Sequence, residues 1–286
     1  MSALQEAAGS WFVVKIGGEL AQEPGTLAAG VGRAVRAFLD AGIKVAVIHG
    51  AGPQATALSK RLGLVPNMVG GRRVTDAATL EAMKMALAGQ VAVDIAAALR
   101  LADVPAICTS GVSAGLVDAV KRPAMVVSGG PPEPVDFGLV GDVSRVDTGV
   151  LEALARAGLV PVLSSLCGSP EGVVFNVNAD TVATRVAAAL GAKRLFLVSG
   201  VPGVLADRTD PTSRFPRLTP RLAREKIAEG VIQGGMIPKV EESLEMLDRG
   251  IGAIHIVGVS PPEALLQDAA EPGSSGTVFV PDADAG

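Results

Sequence analysis

Trp11-Phe12-Val13-Val14-Lys15-Ile16-Gly17-Gly18-Glu19 is an apolar strand pattern interrupted by one lysine and closed by two glycines. The next apolar run, Lys44 to Ile48, closes in the same way, on His49-Gly50-Ala51-Gly52-Pro53-Gln54. Residues 26–41 between them and 52–62 after them read as helices. Continuously apolar strands alternating with helices predict an α/β fold, with a largely parallel central sheet sandwiched by helices. In such sheets ligands bind beyond the carboxyl ends of the strands. There glycine lets backbone N–H groups approach phosphate oxygens, and a lysine adds a point charge. Two glycine-rich loops are therefore expected at one sheet edge. Lys15 by itself reads equally well as a strand lysine reaching the surface before a turn.

Further along, Leu80, Met83, Leu87, Val91, Ile95 and Leu99 recur at three and four residues, which predicts one unbroken helix over 77–100. Its apolar stripe is either core or the seam of a dimer. Residues 110–146 turn to Gly/Pro/Val segments such as Ser128-Gly129-Gly130-Pro131-Pro132, the pattern of β-hairpins and mobile loops forming a lid. Regular alternation resumes with helix 148–157, strand 160–164, helix 178–190, strand 194–199, helix 236–249 and strand 253–257. This organisation divides the chain into two lobes, 1–191 and 192–286. No tandem repeat is visible, and the tail after Pro281 is expected to fray.

Composition excludes several classes. No uninterrupted apolar run approaches the ~18 residues that cross a bilayer, so a soluble protein with no membrane partner is expected. The net charge of −4 is scattered without a basic block, and aromatics are 3% with no tyrosine, which argues against nucleic acid. The start, MSALQEAAGS, lacks the features of a secretory signal, so Cys108 and Cys167 are expected to stay reduced in the cytoplasm. With only His49 and His255 beside them, no metal-ligand cluster can be drawn.

The remaining motifs carry charge toward the same edge. Gly50 to Ala55 also fits the dinucleotide fingerprint G-x-G-x-x-A, the basis of an oxidoreductase reading. It falls on the second strand, however. Pro53 removes one N–H, and no acidic residue closes a strand roughly 20 residues on, only Asp76 after a loop. No G-x-x-x-x-G-K-[ST] exists, and Asp136-Phe137-Gly138 lacks the companions of the protein-kinase set. His49 reads as a packed histidine. In Gly70-Gly71-Arg72-Arg73-Val74-Thr75-Asp76 either arginine could clasp a carboxylate with two parallel bonds. In Asn176-Val177-Asn178-Ala179-Asp180-Thr181, Asn178 can cap a helix and Asp180 suits its positive first turn, leaving Asn176 for a ligand. Gly234-Gly235-Met236-Ile237-Pro238-Lys239 places a second lysine one turn into a helix. Two lysines oriented by Asp180 fit phosphoryl transfer, which needs charge stabilisation and alignment more than covalent help.

In this order, K-I-G-G, H-G-x-G, R-V-T-D, N-V-N-A-D and G-G-M-I-P-K resemble the N-acetylglutamate kinase family, within the amino acid kinase fold, over residues 11–280. The resemblance implies an amino-terminal lobe for the acyl-amino acid, a carboxyl-terminal lobe for ATP, and an acyl phosphate product. It implies that Lys15 and Lys239 stabilise the transferring phosphoryl, with Asp180 holding both ammonium groups. Gly17, Gly18, Gly50 and Ala51 offer N–H groups to phosphate or substrate, and Arg73 and Asn176 bind the acyl-amino acid. Gly52, Ser199, Gly203 and Gln233 complete the phosphate- and nucleotide-binding set. Mg²⁺ rides on the ATP phosphates, with no protein metal ligand. Helix 77–100 is expected to join a homodimer.

The chain departs from the family at Ala51 and Gly200, where Gly and Asp are usual. It departs also at Gly89-Gln90-Val91-Ala92-Val93-Asp94, in place of Gly-Lys-Val-Asn-Lys, and after Ser110-Gly111. Arginine-inhibited members carry a long helix ahead of the first strand and only ten residues precede Trp11, so weak or no arginine feedback is expected. Alternatives are a kinase for N-succinylglutamate or carrier-linked aminoadipate, and a non-catalytic nucleotide or amino-acid sensor.

Overall fold

The computed structural model describes residues 3–207, 209–233 and 236–284. Eight strands form one sheet in the order Arg217–Leu218, Thr277–Phe279, Ile254–Val257, Arg194–Val198, Trp11–Ile16, Lys44–His49, Val160–Ser164, Ala106–Ser110. Neighbours pair in parallel, except that Thr277–Phe279 runs antiparallel to Ile254–Val257. Trp11–Ile16 lies where the strands of residues 1–191 meet those of 192–286, so a single sheet crosses the lobe boundary read from the sequence.

Side chains of a strand alternate between faces, and Trp11–Ile16 feeds two cores accordingly. Phe12, Val14 and Ile16 join one, in which Phe12 meets Phe38 and Phe196 edge-on at 5.2 and 5.5 Å. Trp11 and Val13 join the other, with Val182, Ala183 and Val186 of the helix Ala179–Ala189. Lys15, an odd position, therefore leaves the strand on the side of that helix.

The helix Ala77–Arg100 runs for 24 residues, with a wider π turn over Met85–Val91 in place of the uniform helix expected. All six residues of its stripe are buried in the first core, which settles the stripe as core. By length and composition this helix is apolar enough to cross a membrane, but half of its most apolar window is buried inside the protein.

The lid contains the hairpin expected, but it is built into a sheet and a small core rather than left as mobile loops. Val117–Lys121 and Gly141–Val146 form an antiparallel hairpin, extended by Leu166–Gly168 and Val174–Asn176 into a four-stranded sheet. The connection between the hairpin strands carries its own core of Val127, Phe137 and Val140, packed on Val69 and Val74. The Asp136-Phe137-Gly138 triplet is thus structural. Phe137 anchors this core, Asp136 pairs with Lys121 at 2.8 Å, and Gly138, at φ +71°, lies too close to the Thr75 carbonyl to admit a side chain.

Toward the carboxyl end, the buried Asp268 carboxylate accepts N–H groups from Gly273, Ser275 and Gly276 at 3.0, 3.2 and 2.7 Å and pairs with the buried His255 at 2.6 Å. These bonds aim the chain back along Ile254–Val257 as the antiparallel strand. Beyond it the tail does not fray at once, since Asp282 accepts the Arg221 N–H at 3.2 Å. Removing a buried carboxylate with four partners strands all of them. Asp268→Ala should therefore lower unfolding free energy by about 3 to 5 kcal/mol, measured by urea denaturation at neutral pH.

Candidate active site

The carboxyl ends of the central strands open into a cleft of about 540 Å³. Its walls include Lys15, Gly17, Gly18, Gly50, Ala51 and Gly52 from the first two strand ends, and Arg73, Asn176 and Asp180 from beyond them. A narrower recess of about 50 Å³ adjoins it and brings Lys239 and Ser199 to Lys15 and Asp180. Both lysines, the aspartate, the arginine and the asparagine singled out in the sequence thus gather at one sheet edge.

Lys15 and Asp180 form an ion pair at 3.0 Å, with side chains 16% and 34% exposed. Asp180 is held there by the helix start, where the Asn178 side chain accepts the N–H groups of Asp180 and Thr181 at 2.7 and 3.2 Å. The cap fixes the first turn, and the first turn aims the carboxylate at the lysine.

The two glycine loops pack directly on each other. A Cβ on Gly18 would lie 2.9 Å from both Ala51 Cα and the Gly50 carbonyl, and the buried Gln54 donates to the Gly18 carbonyl. Ala51, at φ −147° and ψ 36°, is in a conformation open to alanine, and its side chain is buried. The N–H groups of Gly50 and Ala51 have no acceptor among the described residues. They precede the helix Gly52–Arg61, whose positive end adds to their attraction for anions.

The structure distinguishes the two arginines. Arg73 turns inward, donating to Thr56 Oγ1 at 2.6 Å, while its Nη1 is buried without a partner. Burial also lowers its pKa from the ordinary guanidinium value. Arg72 stays exposed, against Met125 Sδ at 3.8 Å. An unpaired buried donor at a cleft wall is unfavourable until an acceptor such as a carboxylate arrives. Asn176 lines the same cleft, donating from Nδ2 to Thr75 Oγ1 at 3.2 Å.

Two predicted residues lie apart. Gly203, at φ +149°, is wedged against Thr277 and Arg214, and Gln233 donates to the Gly230 carbonyl; neither lines the cleft. Gly234 and Gly235 lie outside the described residues. Gly200 is exposed, with open space where a side chain would stand. Asp76 caps the helix at Ala77 through the Thr79 N–H at 2.7 Å.

Residues 10–258 match the family model described as the amino acid kinase family. The chain belongs to this family. Its relatives include the acetylglutamate kinase of Sorangium cellulosum, 49% identical over 270 residues that make up 94% of each chain. The acetylglutamate kinase of Anaeromyxobacter dehalogenans is 47% identical over 94% of this chain and 98% of its own. These identities put this amino acid kinase in the acetylglutamate kinase branch. The fold is shared with N-acetylglutamate synthase from Neisseria gonorrhoeae complexed with coenzyme A and N-acetyl-glutamate. That structure superposes with a TM-score of 0.78 at 24% identity, over 97% of this chain and 61% of the synthase. Carbamate kinase from Giardia lamblia has a TM-score of 0.65 at 16% identity, over 96% of this chain and all of its own.

The sequence reading missed one wall of this kinase cleft. Glu242, an exposed residue whose carboxyl is partly enclosed, reaches both the cleft and the lysine recess. The protein packed about its carboxyl, then Asp180 and Glu245, hold its pKa above the ordinary range. Its spacing of three from Lys239 on one helix face was the available signal.

His49 is a packed histidine, as expected. It is fully buried, its Nε2 has no partner, and burial holds its pKa down to about 4. Below pH 6.5 the unfolded chain takes up a proton that the folded chain refuses until about pH 4. Stability is therefore greatest above 6.5 and falls across that window, by about 3 kcal/mol in total. Chemical denaturation between pH 7 and 4.5 should show this slope, and His49→Gln should flatten it by one proton.

Proposed function

We propose that the protein transfers the γ-phosphoryl of Mg·ATP to the side-chain carboxylate of N-acetyl-L-glutamate, forming N-acetyl-L-glutamyl 5-phosphate for arginine biosynthesis. The observation that carries this reading is one cleft lined both by an arginine with an unpaired buried donor and by the Lys15–Asp180 pair, with Lys239 in the adjoining recess. The names of its relatives support the same substrate.

In this reading residues 1–191 hold the acyl-amino acid and 192–286 hold ATP. Arg73 takes the α-carboxylate, with Asn176 on neighbouring polar atoms. The side-chain carboxylate then lies against the glycine loops, in line with the γ-phosphoryl. As charge moves onto the equatorial oxygens, Lys15 and Lys239 and the free N–H groups of Gly50 and Ala51 stabilise it. Asp180 keeps Lys15 aligned and takes no proton itself. Asp180 is committed to Lys15, and Mg²⁺ would enter with ATP on its phosphates, where it would add to the positive charge facing the transferred group.

A homodimer of a soluble, cytoplasmic enzyme completes the reading. Opposite its buried stripe, helix Ala77–Arg100 exposes Met85 and Val93, and Leu101 follows at 72% exposure. Beside it Ala106–Ser110 is the sheet's edge strand, with its outer side unpaired and Ile107 exposed. A second copy covering this edge would satisfy both features. Val93→Glu should then shift the mass seen by light scattering from dimer to monomer.

The activity is tested by incubating the protein with Mg·ATP and, separately, N-acetylglutamate, N-succinylglutamate, glutamate and aspartate, with hydroxylamine trapping the acyl phosphate. Hydroxamate from N-acetylglutamate is expected, and a stronger signal from another acid would reassign the substrate. Lys239→Ala should lower kcat roughly 100-fold with KM for N-acetylglutamate little changed, because its charge acts when the phosphoryl is in flight. Arg73→Ala should chiefly raise that KM, by roughly tenfold or more. The reverse pattern would overturn these roles.

A further inference from the structure

Glu242 lines three connected hollows: the main cleft, the lysine recess, and a groove of about 330 Å³ between the helices Ala179–Ala189 and Met236–Asp248. Asp180 is the other residue common to all three. Glu242 is crowded by the like charges of Asp180 and Glu245, and the cations acting on it in the opposite sense are Arg72 and Lys15. Lys15 is already bound to Asp180. Arg72 is not so engaged, since its guanidinium donates to the weakly accepting sulfur of Met125 and forms no ion pair among the described residues. It enters the cleft from the other side, on the hairpin Met68–Val69/Arg72–Arg73. Arg72 and Glu242 thus face one cleft from opposite lobes, within electrostatic range but without an ion pair in this conformation.

We propose that Arg72 and Glu242 are positioning residues that pair across the cleft when the substrates enter, drawing the 68–73 hairpin inward so that Arg73 is set on the acyl-amino acid. Adjacent strand residues point to opposite sides, so a guanidinium held from the helix at position 72 fixes the direction of the one at 73. Entry of anionic substrates strengthens the pair by excluding water from the cleft. The inference rests on the proposed function for its substrate and on the cleft geometry for its residues.

The test is a double-mutant cycle with Glu242→Gln and Arg72→Gln in the hydroxamate assay. Each single variant should raise KM for N-acetylglutamate roughly three- to fivefold, with kcat nearly unchanged. The double variant should be no worse than either single, and the exchange Arg72→Glu with Glu242→Arg should recover most of the loss. Multiplying effects in the double variant, or unchanged KM in the singles, would overturn the pairing. Unfolding midpoints equal to the parent's separate this role from a structural one. A parent that yields no hydroxamate from any acid would refute the substrate reading alone. The pairing is then read by hydrogen exchange of residues 68–73, which Mg·ATP should slow in the parent and not in Glu242→Gln. Equal slowing in both would refute the pairing.

Discussion

A lysine inside a strand buried on both faces is tolerable only if its ammonium finds a counter-charge, and the 3.0 Å pair of Lys15 with Asp180 supplies one. Much else follows from that pair. Strand alternation sends Lys15 to the face covered by Ala179–Ala189, so that helix must begin at the strand's carboxyl end for Asp180 to reach it. Asn178 sets the beginning by capping. The pair is partly exposed, so its contribution to stability is small. Its importance is geometric, because it holds a cation where backbone N–H groups also converge.

Those N–H groups depend on a second constraint, the contact between the two glycine loops. At Gly18 the loop behind Lys15 has no room for a side chain, and Gln54 ties its carbonyl to the helix after the second loop. The two loops are therefore packed and tied as one unit. Ala51 fits because its backbone lies outside the left-handed region that demands glycine. His49 beneath them remains neutral, which keeps a competing positive charge out of the core and leaves the anion site to lysines and N–H groups.

Features carried by local rules were legible in the sequence. The two strand–glycine junctions, the Asn178 cap and the helical stripe each follow from period and propensity, and each stands in the structure where those rules put it. What was not legible depended on partners distant in the chain. The antiparallel Thr277–Phe279 strand requires Asp268 to gather three N–H groups, which no local pattern announces. The hairpin of the lid was legible, but its connection, whose Gly and Pro content reads as mobile loop, is ordered because Phe137 finds Val127 and Val140. The resemblance named Arg73, but residue physics left it level with Arg72, and the inward turn of its guanidinium depends on Thr56, 17 residues away. Glu242 was overlooked because an acidic residue on a helix face is usually solvated, and only the fold brings it to Asp180.

The balance of charge in the cleft decides what its ligands must bring. Lys15, Arg72, Arg73, Arg122 and Lys239 face Glu19, Asp180 and Glu242 across the cleft and its recess, five cations against three carboxylates. Arg122 is neutralised from outside by Asp142 at 2.6 Å, and Lys15 by Asp180, which leaves Arg72, Arg73 and Lys239 as the uncommitted positive charges. Glu19 and Glu242 stand among them, so the uncommitted charges among the described residues are three cations against two carboxylates, a small positive excess. A polyphosphate and a dicarboxylate reverse the sign of the cleft. The free cations then have anions to share, each substrate that enters favours closure, and with both in place the cleft excludes the water that would otherwise accept the phosphoryl.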